Sequence, residues 1–100
     1  MNKNGILEIV TFDQAEPADK VQIVNGVRVL DKFYSQFTGY HGIQVGDHDS
    51  GSWTLILNWE SVESEKEASA LMMKSDETNA FKAVVNPPSV KKVLCCNLQL

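Results

Sequence analysis

A chain of 100 residues, 43% hydrophobic and 22% charged, is long enough for one domain with one modest core, and lies outside the low-hydrophobicity, high-charge range where chains stay disordered. Its 13 acidic and 9 basic residues leave a net charge of −4 with the basic groups scattered, which argues against nucleic acid or an anionic membrane surface as a partner. No segment has the length of a signal h-region or a membrane span, so the chain reads as a cytoplasmic protein.

Gly5 to Phe12 is short, rich in β-branched residues and followed by the turn-prone Asp13 to Pro17, which predicts a first strand. On it Leu7, Ile9 and Thr11 share one side, and Ile6, Glu8, Val10 and Phe12 the other. From Ala18 to Phe37 the apolar residues Val21, Val24, Val27, Leu30, Phe33 or Tyr34 and Phe37 recur at helical spacing, predicting an amphipathic helix that stops before Gly39. Gly26 costs such a helix roughly 1 kcal/mol against alanine and suggests a close approach to the sheet.

Gly42 to Gly46 and Trp53 to Glu60, joined by a Gly- and Asp-rich turn, predict a β-hairpin. Its second strand places Trp53, Leu55, Leu57 and Trp59 on one face and Thr54, Ile56 and Asn58 on the other. Ser64 followed by Glu67 has the spacing of a capping box ahead of the helix-favouring run Ala68 to Met73. A fresh N-cap near Ser75 and Asp76 should divide this helix in two, and Pro87-Pro88 ends it. Lys92 to Leu100 alternates as a fourth strand. Within it Cys95 and Cys96 point to opposite faces, which suits two small packed thiols and neither a disulfide nor a metal pair.

The order β-α-β-β-α-β describes one α+β domain of ferredoxin-like plan over residues 1–100. Two helices cover only one face of such a sheet, yet strands one and three carry apolar residues on both. A second copy of the chain is therefore expected on the open face, making a homodimer.

With the elements in this order, Thr38 to Ile43 (TGYHGI) resembles the Gly-aromatic-x-Gly approach to the second strand in dimeric α/β-barrel proteins. Asn58 to Ser61 (NWES), Ala68 to Met73, Ser75 and Phe81 are similar to the Trp, Ala, Ser, Phe pattern of the antibiotic-biosynthesis-monooxygenase-like (ABM) branch. The resemblance spans nearly the whole chain and implies a dimeric α/β barrel with a pocket between sheet and helices in each subunit. It also implies chemistry without a bound cofactor, since some relatives oxidise aromatic polyketides or quinols in that way. Where enzymatic relatives carry His or Trp three residues before the Ser matched to Ser75, this chain has Met72. At the position of the axial His of haem-degrading relatives it has Lys82, and its first strand contains no Asn between Ile6 and Phe12.

Trp59, Met72, Phe81, Tyr40 and Phe33 are the expected pocket residues. Of the two histidines, His41 is the candidate general base because its flanking glycines allow close approach of a ligand, although a surface role suits it as well. His48, between Asp47 and Asp49 at a hairpin tip, reads as a solvated turn residue and no metal site, because neighbouring side chains there diverge. Phosphate-loop, serine-elbow and zinc-protease motifs are missing. Two functions remain open: a non-catalytic dimer that binds a small apolar or aromatic ligand, and a cofactor-independent monooxygenase acting on an aromatic or quinone-like compound.

Overall fold

The computed structural model describes residues 3–100; Met1 and Asn2, part of the single-domain reading, lie outside the described residues. Four strands, β1 (Lys3–Asp13), β2 (Tyr40–Asp47), β3 (Ser52–Trp59) and β4 (Lys91–Leu98), form one antiparallel sheet in the order β2-β3-β1-β4. Three helices accompany them: α1 (Lys20–Tyr34), α2 (Val62–Lys74) and the single turn α3 (Asn79–Lys82). This is the expected ferredoxin-like α+β architecture, with the second helical segment divided at Ser75, whose Oγ accepts from the Glu77 amide.

Strand β3 organises the core. Trp53, Leu55, Leu57 and Trp59 all face the helices and are buried, while the alternate residues Thr54, Ile56 and Asn58 are only partly covered. Helix α1 presents Ile23, Val27, Leu30, Phe33 and Tyr34 to them. Val21, assigned to the buried stripe from spacing, is instead 68% exposed. Both Val21-Val24 and Ile23-Val27-Leu30 satisfy helical periodicity, and the Asp19 capping box with Gln22 sets the start of the helix so that the second series meets the sheet.

Three further expectations are corrected. Gly26 approaches α3 and not the sheet: an added Cβ would lie 3.0 Å from the Ala80 carbonyl oxygen and 3.1 Å from the Phe81 Cα. The cap of α2 is Ser61, whose Oγ accepts from the Ser64 amide at 3.1 Å, so Ser64 lies inside the helix. The helix starts earlier because the backbone at Ser61 is still extended as it leaves β3, and its side chain is free to cap. Strand β1 begins before Gly5, which has φ +89° at an irregularity in the β1–β4 pairing; a Cβ there would overlap the Trp59 carbonyl.

The face away from the helices is ordered in rungs by the strand register. Gln44, Ile56, Ile9 and Val93 lie side by side, flanked by the rung Asn58, Leu7 and Cys95 and by the rung Thr54, Thr11 and Lys91. Its centre is apolar and its edges polar.

Candidate functional site

Between the helix-facing side of the sheet and α2 and α3 lies a cavity of about 450 Å³. Val10 and Phe12 of β1, Leu55 and Leu57 of β3 and Leu30 of α1 form its floor and one side. Met72, Met73, Phe81 and Val85 close it from the helical segments, with Pro87 and Val90 at the approach to β4. Phe12 and Phe81 meet edge to face at 5.8 Å, which fixes the angle of the aromatic wall. The volume lies in the range of small-molecule sites, roughly 300–1,000 Å³.

Polar groups gather at one corner. Glu8 is on the helix side of β1 and only 4% exposed; its Oε1 accepts from Trp59 Nε1 at 2.9 Å. Lys92, which pairs with Val10 across β1 and β4, reaches to 3.6 Å from Glu8 Oε2 and forms an ion pair with the fully buried Glu65 of α2. Neither Glu65 oxygen makes a hydrogen bond of regular geometry, so the Lys92 ammonium is its compensation. Burial pushes the Glu8 carboxyl above its ordinary value; the Lys92 ammonium and the Trp59 N–H work against this, and the Glu65 charge adds to it. Tyr34, 1% exposed, brings its phenol to the same cavity. Its pKa is raised by burial first and by the charges of Glu8 and Glu65 second, so it remains a proton donor.

Of the pocket residues expected from the sequence, Met72 and Phe81 line this cavity. Trp59 stands behind the wall, fully buried, packed edge-on to Tyr34 at 4.9 Å and against Tyr40 at 5.1 Å. Tyr40 faces away and donates its hydroxyl to Asp31 Oδ1 at 2.6 Å. Phe33 borders a separate, shallower depression with Phe37 and Leu71. His41 is exposed in a bulge between Tyr40 and Gly42, outside the cavity lining. The structure thus gathers two of the named residues and adds Glu8, Tyr34, Glu65 and Lys92. Glu8 carried a signal in the sequence, a charged residue on the otherwise apolar side Ile6, Val10, Phe12. For Glu65 and Lys92 nothing comparable existed, because both stand among other charged residues.

Elsewhere, Lys20 bridges Asp47 and Asp49 at the hairpin tip, and His48 Nε2 is paired with Thr54 Oγ1 at 2.6 Å. Among the described residues no cluster of three or more His, Cys, Asp or Glu could hold a metal ion, and no helix is long and apolar enough to cross a membrane.

No protein-family model matches the sequence, and a search of curated proteins finds no significant relative. Solved structures do match. SnoaB, a cofactor-independent oxygenase from Streptomyces nogalater, superposes with a TM-score of 0.75 at 13% identity, over 95% of this chain and 94% of its own. A candidate antibiotic biosynthesis monooxygenase from Chloroflexus aurantiacus gives 0.67 at 13% identity, over 95% of each chain. PA3566 from Pseudomonas aeruginosa gives 0.64 at 18% identity, over 99% and 98%. Near-complete coverage of both partners at these TM-scores shows that this chain has the ferredoxin-like fold of the antibiotic-biosynthesis-monooxygenase-like proteins.

Proposed function

We propose that the chain binds a small apolar or aromatic ligand in the cavity beneath α2 and α3, as a homodimer closed through the open face of its sheet. The observation that carries this reading is the cavity: its wall of Leu, Val, Phe and Met side chains offers little to a charged solute and much to a flat hydrocarbon surface. The apolar centre of the open face, Leu7, Ile9, Ile56 and Val93, supports the pairing. Titration with naphthalene-sized aromatics, followed by calorimetry, tests the ligand reading. Micromolar to submillimolar binding that weakens when Met72→Trp fills the cavity is expected, and full indifference to that substitution would refute it. His41→Ala should leave binding unchanged. Sedimentation should report twice the 11.1 kDa chain mass; a lone chain at micromolar concentration would remove the dimer.

A second reading, cofactor-independent oxygenation of an aromatic or quinone-like compound, is favoured by the fold shared with SnoaB together with the buried carboxyl and phenol beside an apolar cavity. Such a site could exclude water from a reacting ring and exchange a proton with it. Oxygen uptake on a panel of quinols and polyketide-like phenols, lost in Tyr34→Phe or Glu8→Leu protein that still folds, would establish it. Absence of uptake across the panel would leave ligand binding alone.

A further inference from the structure

At the polar corner, Glu8 and Glu65 put two buried carboxyl groups beside one partly exposed ammonium, that of Lys92. Such a corner is neutral only when one carboxyl holds a proton, and an uncompensated charge there is costly. Lys92 sits closer to Glu65 than to Glu8, so its charge belongs first to Glu65 and the proton to Glu8. Of the two Glu8 oxygens, Oε1 is occupied as acceptor of the Trp59 N–H, which leaves Oε2 as the carbon-bound hydroxyl.

Resting on the reading that the cavity holds an apolar ligand, we propose that Glu8 in its acid form and Tyr34 are paired hydrogen-bond donors that select a ligand bearing an uncharged carbonyl oxygen. Both side chains border the cavity and are at least nine-tenths buried. Both touch Trp59, which donates its N–H to Glu8 and packs edge-on against the Tyr34 ring. Among the described residues the tyrosine hydroxyl with a protein hydrogen-bond partner is that of Tyr40, and burial keeps the cavity-lining Tyr34 phenol protonated. A donor that borders the cavity gains a partner from a ligand acceptor and none from a hydrocarbon of the same shape.

The other charged and titratable groups around the corner are already engaged. Lys82 of α3 borders the cavity, but its Nζ donates to the carbonyl oxygens of Met73 at 3.1 Å and Ser75 at 2.7 Å. Tyr40 of β2 gives its proton to Asp31 of α1. A carboxylate ligand would place a second anion beside Glu65 with no free cation to meet it. The site therefore distinguishes three molecules of nearly one shape: a ketone, a hydrocarbon and an acid.

The test uses tetralin, 1-tetralone and tetrahydro-1-naphthoate as probes, with affinities measured by calorimetry across pH. The ketone should bind roughly tenfold more tightly than the hydrocarbon, the magnitude of one to two net hydrogen bonds, and the acid more weakly than either. The ketone's advantage should shrink as pH rises and Glu8 loses its proton. Glu8→Gln keeps both the acceptor for Trp59 and a donor for the ligand, so it should preserve the advantage and abolish its pH dependence. Tyr34→Phe should reduce the ratio of ketone to tetralin affinity several-fold. Equal binding of ketone and hydrocarbon would overturn the donor assignment while leaving the apolar cavity intact. Tightest binding of the acid would overturn it in favour of Lys92 as the recognising group. Binding of none of the three would remove the ligand reading and this inference together.

Discussion

The molecule contains the same electrostatic motif twice, one lysine between two carboxyl groups, in opposite surroundings. At the hairpin tip Lys20 contacts Asp47 at 2.9 Å and Asp49 at 2.8 Å, with water reaching all three side chains. At the cavity corner Lys92 contacts Glu8 and Glu65, which are buried. The acids respond in opposite directions. Asp47 is held below its ordinary pKa, chiefly by the Asp49 backbone N–H and then by Lys20. Glu8 is pushed above its own because loss of water outweighs its lysine. For these two acids, each beside a lysine, the loss of water at Glu8 accounts for the difference in sign.

The largest expected effect comes from removing the inner lysine. Lys92→Met leaves Glu65 buried without its cation, and a loss on the order of 2 kcal/mol is expected; the full buried-pair penalty of ~3–5 kcal/mol is moderated because Lys92 itself is partly exposed. Urea denaturation measures it, and an unchanged midpoint would show that water reaches Glu65. The reverse substitution is not its mirror image. Glu65→Leu leaves a lysine that can turn to solvent or to Glu8, so stability should stay within about 1 kcal/mol of the parent or rise.

The pH dependence sharpens the contrast further. Because the folded-state pKa of Glu8 is raised, its contribution to stability is complete below the unfolded value, near 4.5, and declines as pH climbs through the folded value. Asp47 contributes in the opposite sense, with stability present above its unfolded value, near 3.8, and lost as pH falls through the lowered one. Melting temperatures across that range should show a decline on the alkaline side that disappears in Glu8→Gln. A slope unchanged by that substitution would assign it to another group. The smallest effect belongs to the tip: Lys20→Met should leave the melting temperature unchanged within error at physiological salt, since exposed pairs are screened and their side chains lose entropy on pairing. A clear loss there would break the distinction between the two clusters.

The elements themselves were legible in the sequence because each depends on local periodicity: alternation in β3, the hairpin between Gly42 and Glu60, the division at Ser75. The phase of α1 was not, since two apolar series on one helix both satisfied the spacing and only contact with β3 separated Ile23 from Val21. The candidate site was legible in its apolar half, Met72 and Phe81, which periodicity directs inward. Its polar half depends on Glu8, Glu65 and Lys92, which come from three separate elements far apart in the chain.

Composition, alternation and caps determined an α+β chain with a sheet apolar on both sides, because those properties are carried by neighbours within a few residues of one another. Which charges lose their water was decided only when β1, β4 and α2 came together. Desolvation belongs to the assembled surroundings of a group and to no segment of chain, and so the corner that distinguishes this cavity exists only in the folded molecule.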